Sequence, residues 1–233
     1  MPSIRLQNLD VAYADDGPPD GPAVLLLHGW PDDSSSWKQV TPYLNNAGFR
    51  TIVPTLRGFG QTRFRSPSAR RTADPGILAM DAIELMDVIG VERFSAVGHD
   101  WGSSIAEAIA VGWPSRVARL GLLSWSPRLG GLQMPAFEQA PLDWYQWMMA
   151  TPAGEQAISR DRHGFTHFLW KSWGPTGWFD EATFAQVARS WENGDWINVT
   201  LHSYRSRWGV AKPDPSSAWL TRRSRARQRF HCL

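Results

Sequence analysis

The 233-residue chain contains a single cysteine, Cys232, next to its last residue. No internal disulfide can form, and cysteine usage gives an oxidising compartment no support. The position also misses a prenylation box, which needs cysteine fourth from the end. No apolar run reaches the length of a membrane span, and the opening MPSIRLQNLD lacks the basic-then-apolar order of a secretory leader. A cytoplasmic protein with no membrane partner is expected. His28, His99, His163, His167 and His202 show no zinc-ligand spacing, so no metal and no other cofactor is expected. Internal repeats are absent as well.

Charge of one sign is scarce once its location is considered. The formal charge is +2, but Arg222, Arg223, Arg225, Arg227 and Arg229 crowd the last stretch, TRRSRARQRFHCL; removing these five turns +2 into −3. A mildly acidic body carries no nucleic-acid footprint, so no nucleic-acid partner is expected. The tail is the one biased segment.

What is present is a length suited to one core, or one core with an inserted module. Fourteen tryptophans are many for 233 residues and need a place in the fold. AVLLLHGW (Ala23 to Trp30) is a continuous apolar run ending in glycine and tryptophan, which reads as a parallel strand covered on both faces. DDSSSWKQVTPYLNNAG then suggests a capped helix stopped at Gly48. FRTIVPTL (Phe49 to Leu56) reads as a second buried strand closed by the glycines of RGFG. ILAMDAIELMDVIG predicts a helix with Met80, Ile83, Met86 and Val88 or Ile89 on one face and Gly90 as its stop. RFSAVGHD predicts a strand, SSIAEAIAVGW a small-residue helix, and VARLGLLSW (Val117 to Trp125) another buried strand. Strand and helix alternate, so the class is α/β with a mostly parallel sheet. After that the pattern changes to tryptophan-rich helices; in DEATFAQVARSW, for instance, Phe184, Val187 and Trp191 share a face. This divides the chain into a core over 1–126, an inserted helical cap over 127–209, and an atypical basic tail over 210–233.

Gly98-His99-Asp100-Trp101-Gly102 has glycine-x-nucleophile-x-glycine spacing where a strand gives way to a helix. The turn is too sharp for neighbouring side chains, hence the glycines, and it strains the backbone of the nucleophile. A carboxylate at a helix N-terminus is favoured by the helix dipole and stays ionised. An aspartate nucleophile attacks an sp³ carbon and becomes an ester, which water must cleave afterwards. The bland reading is that Asp100 is simply a helix N-cap. HGWPDDSSSW, following the first central strand, offers backbone N–H groups for an oxyanion hole, assigned here to Trp30 and Trp101. His28 is expected to prop that loop, with Gly29 and Pro31 shaping it, and Trp30–Pro31 is a candidate cis peptide.

HGWP, LRGFG and GHDWG, in this order and at these separations, make the chain resemble the α/β-hydrolase family and, within it, the epoxide hydrolases. The resemblance runs from about residue 3 to 219. It implies an α/β-hydrolase fold with an inserted helical cap, acting on a small apolar molecule. It further implies two cap tyrosines that hydrogen-bond an epoxide oxygen; WYQWM and LHSYRSRWG match those segments and point to Tyr145 and Tyr204. Each could instead be cap packing. Trp144, Trp147, Trp170, Trp173 and Trp196 are expected between cap and core, lining a pocket or packing beneath it.

The family order is nucleophile, acid, histidine, with the last two on loops after the cap. Here GVAKPDPSSAWLTRRSRARQRFHCL follows the cap, with one histidine, one aspartate and no apolar run fit for a buried strand. The final strands are therefore expected to be missing, by truncation or frameshift; an authentic basic tail is the rival reading. His231 is expected in a flexible tail and Asp214 in a turn. The hydrolytic half of the reaction is then impaired, and an open sheet edge should lower stability. Haloalkane dehalogenase is an alternative function, since Trp101 N–H could hold a halide. A non-catalytic fragment or binding protein is another. Oligomeric state is not legible.

Overall fold

In the computed structural model, residues 2–124 and 136–230 are described. The elements in chain order begin with β1 (Ser3–Arg5), β2 (Leu9–Asp16), β3 (Ala23–Leu27), α1 (Thr41–Asn46), β4 (Arg50–Pro54) and β5 (Arg63–Phe64). They continue with α2 (Pro75–Val88), β6 (Phe94–His99), α3 (Trp101–Gly112) and β7 (Val117–Leu123). Then follow α4 (Ala140–Met149), α5 (Pro152–Arg160), α6 (Arg162–Trp173), α7 (Glu181–Ala188), α8 (Trp196–Arg207) and α9 (Ala218–Phe230).

The strands form one sheet in the order β1-β2-β4-β3-β6-β7, with β5 paired to β2. From β4 through β3 and β6 to β7 every pairing is parallel, while β2 meets β1, β4 and β5 antiparallel. β3 is wholly buried because helices cover both faces of a parallel sheet. Each fully buried leucine there stabilises the fold by roughly 2 kcal/mol. The two central registers, Leu27 opposite Gly98 and Gly98 opposite Leu122, bring the C-terminal ends of β3, β6 and β7 level. In an open α/β sheet, ligands bind at those ends.

Several predicted elements shift. The helix expected after Trp30 is a 3-10 turn, Ser34–Trp37, capped by Asp33, and then the short α1. α2 starts earlier than its apolar pattern suggested, at Pro75, because the Asp74 carboxylate caps Gly76 and Ile77 N–H. Its buried face includes Ile77, Leu78, Ile83 and Met86, while Val88 is half exposed and Met80 only partly covered. β7 reads as a buried strand in sequence, yet Leu120 and Leu123 are exposed. Among the described strands it pairs with β6 alone, so one edge lacks a neighbour to cover those side chains. Trp125, the start of the expected cap, and His231 lie outside the described residues.

The segment expected as a flexible tail is helical through Phe230. Leu220 and Ser224, one turn apart, are buried, and Leu220 fills the space over Gly112 of α3. Trp219 meets Trp113 edge-to-face at 5.2 Å. Just before this helix, Asp214 sits in a turn as expected, capping Ser216 N–H, and it also binds Thr72 Oγ1 at 2.7 Å and Arg70. Asp214 N–H in turn donates to Asp74 Oδ2 at 2.8 Å, and Ser217 Oγ–H to Asp74 Oδ1 at 2.7 Å. Two aspartates thus anchor the post-α8 segment to the start of α2. Burial pushes the Asp214 carboxyl up, but hydrogen bonds from Thr72, Arg70 and Ser216 outweigh it and hold the group well below the usual carboxylate range.

Asp214→Ala is expected to cost about 2–3 kcal/mol, the scale of hydrogen bonds to a charged group, and to lower Tm by roughly 4–12 °C at pH 7. Because the folded-state pKa is depressed, this stability is present above the ordinary carboxylate range and is lost as pH falls below it. The Tm gap between parent and variant should therefore narrow progressively as pH falls below about 5, closing only once pH lies below the depressed folded-state value.

Candidate active site

The sharp turn from β6 into α3 carries Asp100 at φ 53° and ψ −113°, a conformation that costs energy for any non-glycine residue. It holds because the surroundings fix it. Asp100 N–H donates to Leu123 O at 3.0 Å. Ser103 Oγ lies 2.7 Å from Gly98 O and 2.6 Å from Leu123 O and accepts from Leu123 N–H at 3.0 Å. Ser103 thus ties β6, β7 and α3 together and belongs to the helix, as its sequence position suggested. A Cβ on Gly98 would stand 2.0 Å from Gly102 O, and one on Gly102 would stand 2.0 Å from Leu27 O. Only glycine lets the helix start that close to the strands.

Asp100 occupies the N-cap position of α3, but its side chain makes no capping hydrogen bond. Instead Oδ1 accepts from Trp30 N–H at 2.8 Å. The plain N-cap reading of Asp100 therefore fails: the carboxylate faces the loop after β3. Trp30–Pro31 is a cis peptide. His28 is fully buried, with Leu56 N–H donating to Nε2 at 3.0 Å and Nδ1 2.9 Å from Gly29 O. The Leu56 contact makes Nε2 the acceptor and places the proton on Nδ1. Burial lowers its pKa, so the ring stays neutral. With both nitrogens engaged, His28 braces the loop.

Above the turn lies a cavity of about 460 Å³ lined by Trp30, Asp32, His99, Asp100, Tyr145 and Trp173, among others. Tyr145, on α4, stacks on the Trp30 ring at 5.6 Å and 8°. Tyr204, on α8, meets Trp30, Trp101 and Tyr145 edge-on at 5.4, 5.7 and 5.7 Å. The two tyrosines and the two expected oxyanion-hole residues therefore form one aromatic cluster next to Asp100, with Tyr145 and Trp30 in the cavity lining and Tyr204 and Trp101 in contact with them. Burial and the Asp100 charge push the Tyr145 phenol well above its ordinary pKa, against hydrogen bonds from Gln146 and Tyr204. Such a phenol keeps its proton and donates it to hydrogen bonds.

The tryptophans divide between cavity lining and packing. Of the five singled out in sequence, Trp173 lines the cavity. Trp196 stacks beneath Trp30, Trp147 packs on Trp208, Trp144 on Phe165, and Trp170 on Trp178. Trp178 joins the lining in their place. Periodicity marks a buried face but cannot tell cavity wall from core. Sequence reasoning also missed Asp32 and Ser124, both of which line the cavity. Asp32 had a signal in its position after HGWP; Ser124, at φ 50°, had none.

A family model described as alpha/beta hydrolase fold matches residues 22–218. The chain belongs to the α/β-hydrolase family. This α/β hydrolase is similar to a crystal structure of a candidate epoxide hydrolase from Klebsiella pneumoniae, with TM-score 0.91 and 38% identity, covering 97% of this chain and 76% of that one. Epoxide hydrolase 3 of Siraitia grosvenorii is 39% identical over 104 residues, 45% of this chain and 32% of the relative. A fluoroacetate dehalogenase of Burkholderia sp is 31% identical over 192 residues, 80% of this chain and 62% of the relative. The α/β hydrolase thus matches 32% and 62% of the length of these two curated relatives, less than two thirds of either. Its fold, a mostly parallel sheet with helices, is the one the sequence resemblance implied. No helix among the described residues is long and apolar enough to cross a membrane, and those residues hold no cluster of three or more candidate metal ligands.

Proposed function

We propose that this α/β hydrolase opens a small apolar epoxide through an ester on Asp100. The observation that carries the reading is a single arrangement: Tyr145 lines the same cavity as Asp100 and stacks on Trp30, whose N–H holds the Asp100 carboxylate. In this reading Asp100 attacks the epoxide carbon, and Tyr145 and Tyr204 hydrogen-bond the departing oxygen. Helices α4 to α8 act as the cap, and Trp173 and Trp178 supply apolar walls suited to an aryl group. The N–H groups of Trp30 and Trp101 serve as the oxyanion hole when the ester is cleaved. Gly29, Pro31, Gly98, His99 and Gly102 shape the loop and the turn.

The second half-reaction needs a base. Among the described residues His99 is the histidine that lines the cavity, and it has no carboxylate partner. His163 and His167 pair with Glu192 and Glu181 away from the cavity. The 233-residue chain is accordingly expected to form the ester and release it slowly. Incubation with a small aryl epoxide, followed by intact mass and peptide mapping, tests this. One substrate mass added at Asp100 supports the reading; steady multiple turnover by the pure chain sinks the slow release.

Identity to a fluoroacetate dehalogenase over 192 residues supports a second reading, displacement of a halide. Tyr145→Phe separates the two. Loss of the phenol should slow epoxide-driven ester formation by about 10²-fold or more, and leave a haloalkane-driven one nearly unchanged. Faster adduct formation with a haloalkane, insensitive to this variant, would favour the dehalogenase.

A further inference from the structure

We propose that Asp32 is the proton reservoir of the cavity, so that on ring opening the negative charge moves from Asp100 to Asp32 and the pocket carries one charge throughout. This rests on the epoxide reading above.

The geometry comes first. Asp32 follows Pro31 in the same loop whose Trp30 N–H binds Asp100, and both carboxyl groups line one cavity. Its neighbour Asp33 faces elsewhere, capping Ser35 N–H at 2.8 Å. Among the described residues, no cation and no hydrogen-bond donor pairs with the Asp32 carboxyl, and none of the described lining residues is lysine or arginine. Trp30, Trp173, Pro175 and Trp178 wall the space. Two carboxylates in such a space with no described cation between them repel each other, and the cavity favours one charge. Asp100, already held by Trp30 N–H, takes it. Burial, reinforced by the charges of Asp100 and Asp33, pushes Asp32 up to about 7. Among the described residues, the other titratable groups that line the cavity with it are His99 and Tyr145.

The proton then has a downhill path. An Asp100 oxygen forms a bond to the epoxide carbon as the C–O bond breaks, giving an alkoxide. The alkoxide takes the Tyr145 proton, and the resulting phenolate takes the Asp32 proton. The products are an Asp100 ester, a neighbouring hydroxyl, intact Tyr145 and an Asp32 carboxylate, with atoms and charge balanced. Tyr145, whose phenol is raised by burial, is a poor resting place for charge; Asp32 is a better one. Formation of the ester also removes the Asp100 charge that held the proton on Asp32.

Above pH 7 the reservoir empties before the reaction begins, and the cavity then holds two charges. The test is the rate of single-turnover alkylation of the 233-residue chain by a small aryl epoxide, read by intact mass between pH 6 and 8.5. The parent rate is expected to fall about 30-fold across this range, following the protonated fraction of one acid near 7. Asp32→Asn should be slower at pH 6 and flat with pH; Asp32→Glu should restore the fall. A flat parent profile, or the same fall in Asp32→Asn, overturns the proposal; the latter would assign the titration to a group other than Asp32. An absence of adduct at any pH, in a parent chain that melts cooperatively, overturns the epoxide reading and this proposal with it. Thermal melts of each variant confirm that folded chains are compared.

Discussion

Asp100→Ala is expected to abolish covalent labelling, with no mass gain under conditions in which the parent chain gains one substrate mass. The loss should reach at least about a thousandfold, the scale seen when an enzyme loses its nucleophile. Among the described residues that line the cavity, Asp32 is the one other carboxyl. Asp32 shares the cavity, but its proton is held by burial and by the Asp100 charge, and a protonated carboxyl is a weak nucleophile. Removing Asp100 would lower the repulsion on Asp32, yet Trp30 N–H aims at Asp100 Oδ1 and leaves Asp32 without an orienting donor. The variant should still fold, because Asp100 makes no capping bond that the helix would lose, and water entering the cavity can replace the carboxylate as acceptor for Trp30 N–H. Its φ of 53° remains strained for alanine, so Tm should change by no more than a few degrees. Labelling at full rate in this variant would move the nucleophile elsewhere and remove the basis of the proposed function.

Gly102→Ala is expected to have the largest effect on stability. The added methyl would meet Leu27 O at 2.0 Å, Leu27 C at 2.5 Å and His28 O at 2.9 Å. All three are backbone atoms of β3 and the loop after it, and cannot swing aside like a side-chain tip. Either the start of α3 or the end of β3 must move. Overpacking of this kind costs about 3 kcal/mol or more, which corresponds to a fall in Tm of roughly 6–12 °C. The same displacement separates Asp100 from Trp30 N–H, now 2.8 Å apart. A misplacement of about 1 Å at reacting atoms slows chemistry on the order of 10²-fold. Calorimetry and labelling rate on one preparation check both effects; a variant with parental Tm would mean that the turn has slack which these distances deny.

Much of the fold is legible because strands and helices announce themselves by local pattern. The uninterrupted Ala23–Leu27 run needs cover on both faces and receives it. The glycines at 98 and 102 announce a turn in which no other side chain fits. Patterns of this kind are weaker where the neighbour decides. Val117–Leu123 has the apolar content of a buried strand, but its exposure depends on what pairs with its outer edge. In the tail the arginines hid a helix, because Leu220 and Ser224 give it a buried face only when Gly112 of α3 leaves room.

The candidate site divides the same way. Sequence by itself marked Asp100 as the candidate nucleophile and HGWP as the loop that faces it, by residue type at short spacing, while the tyrosine segments came from the family resemblance. Tertiary structure decided which groups share a cavity. Asp32 and Asp100 are 68 positions apart and become electrostatically coupled only when β3 and β6 end side by side. Trp173 and Trp178 reach that cavity while Trp170 and Trp196 stay in the core, a choice that rests on how α6 and α8 lie over the sheet. Proton affinity follows from burial and from nearby charge, and both are properties of position in space, which a linear pattern does not contain.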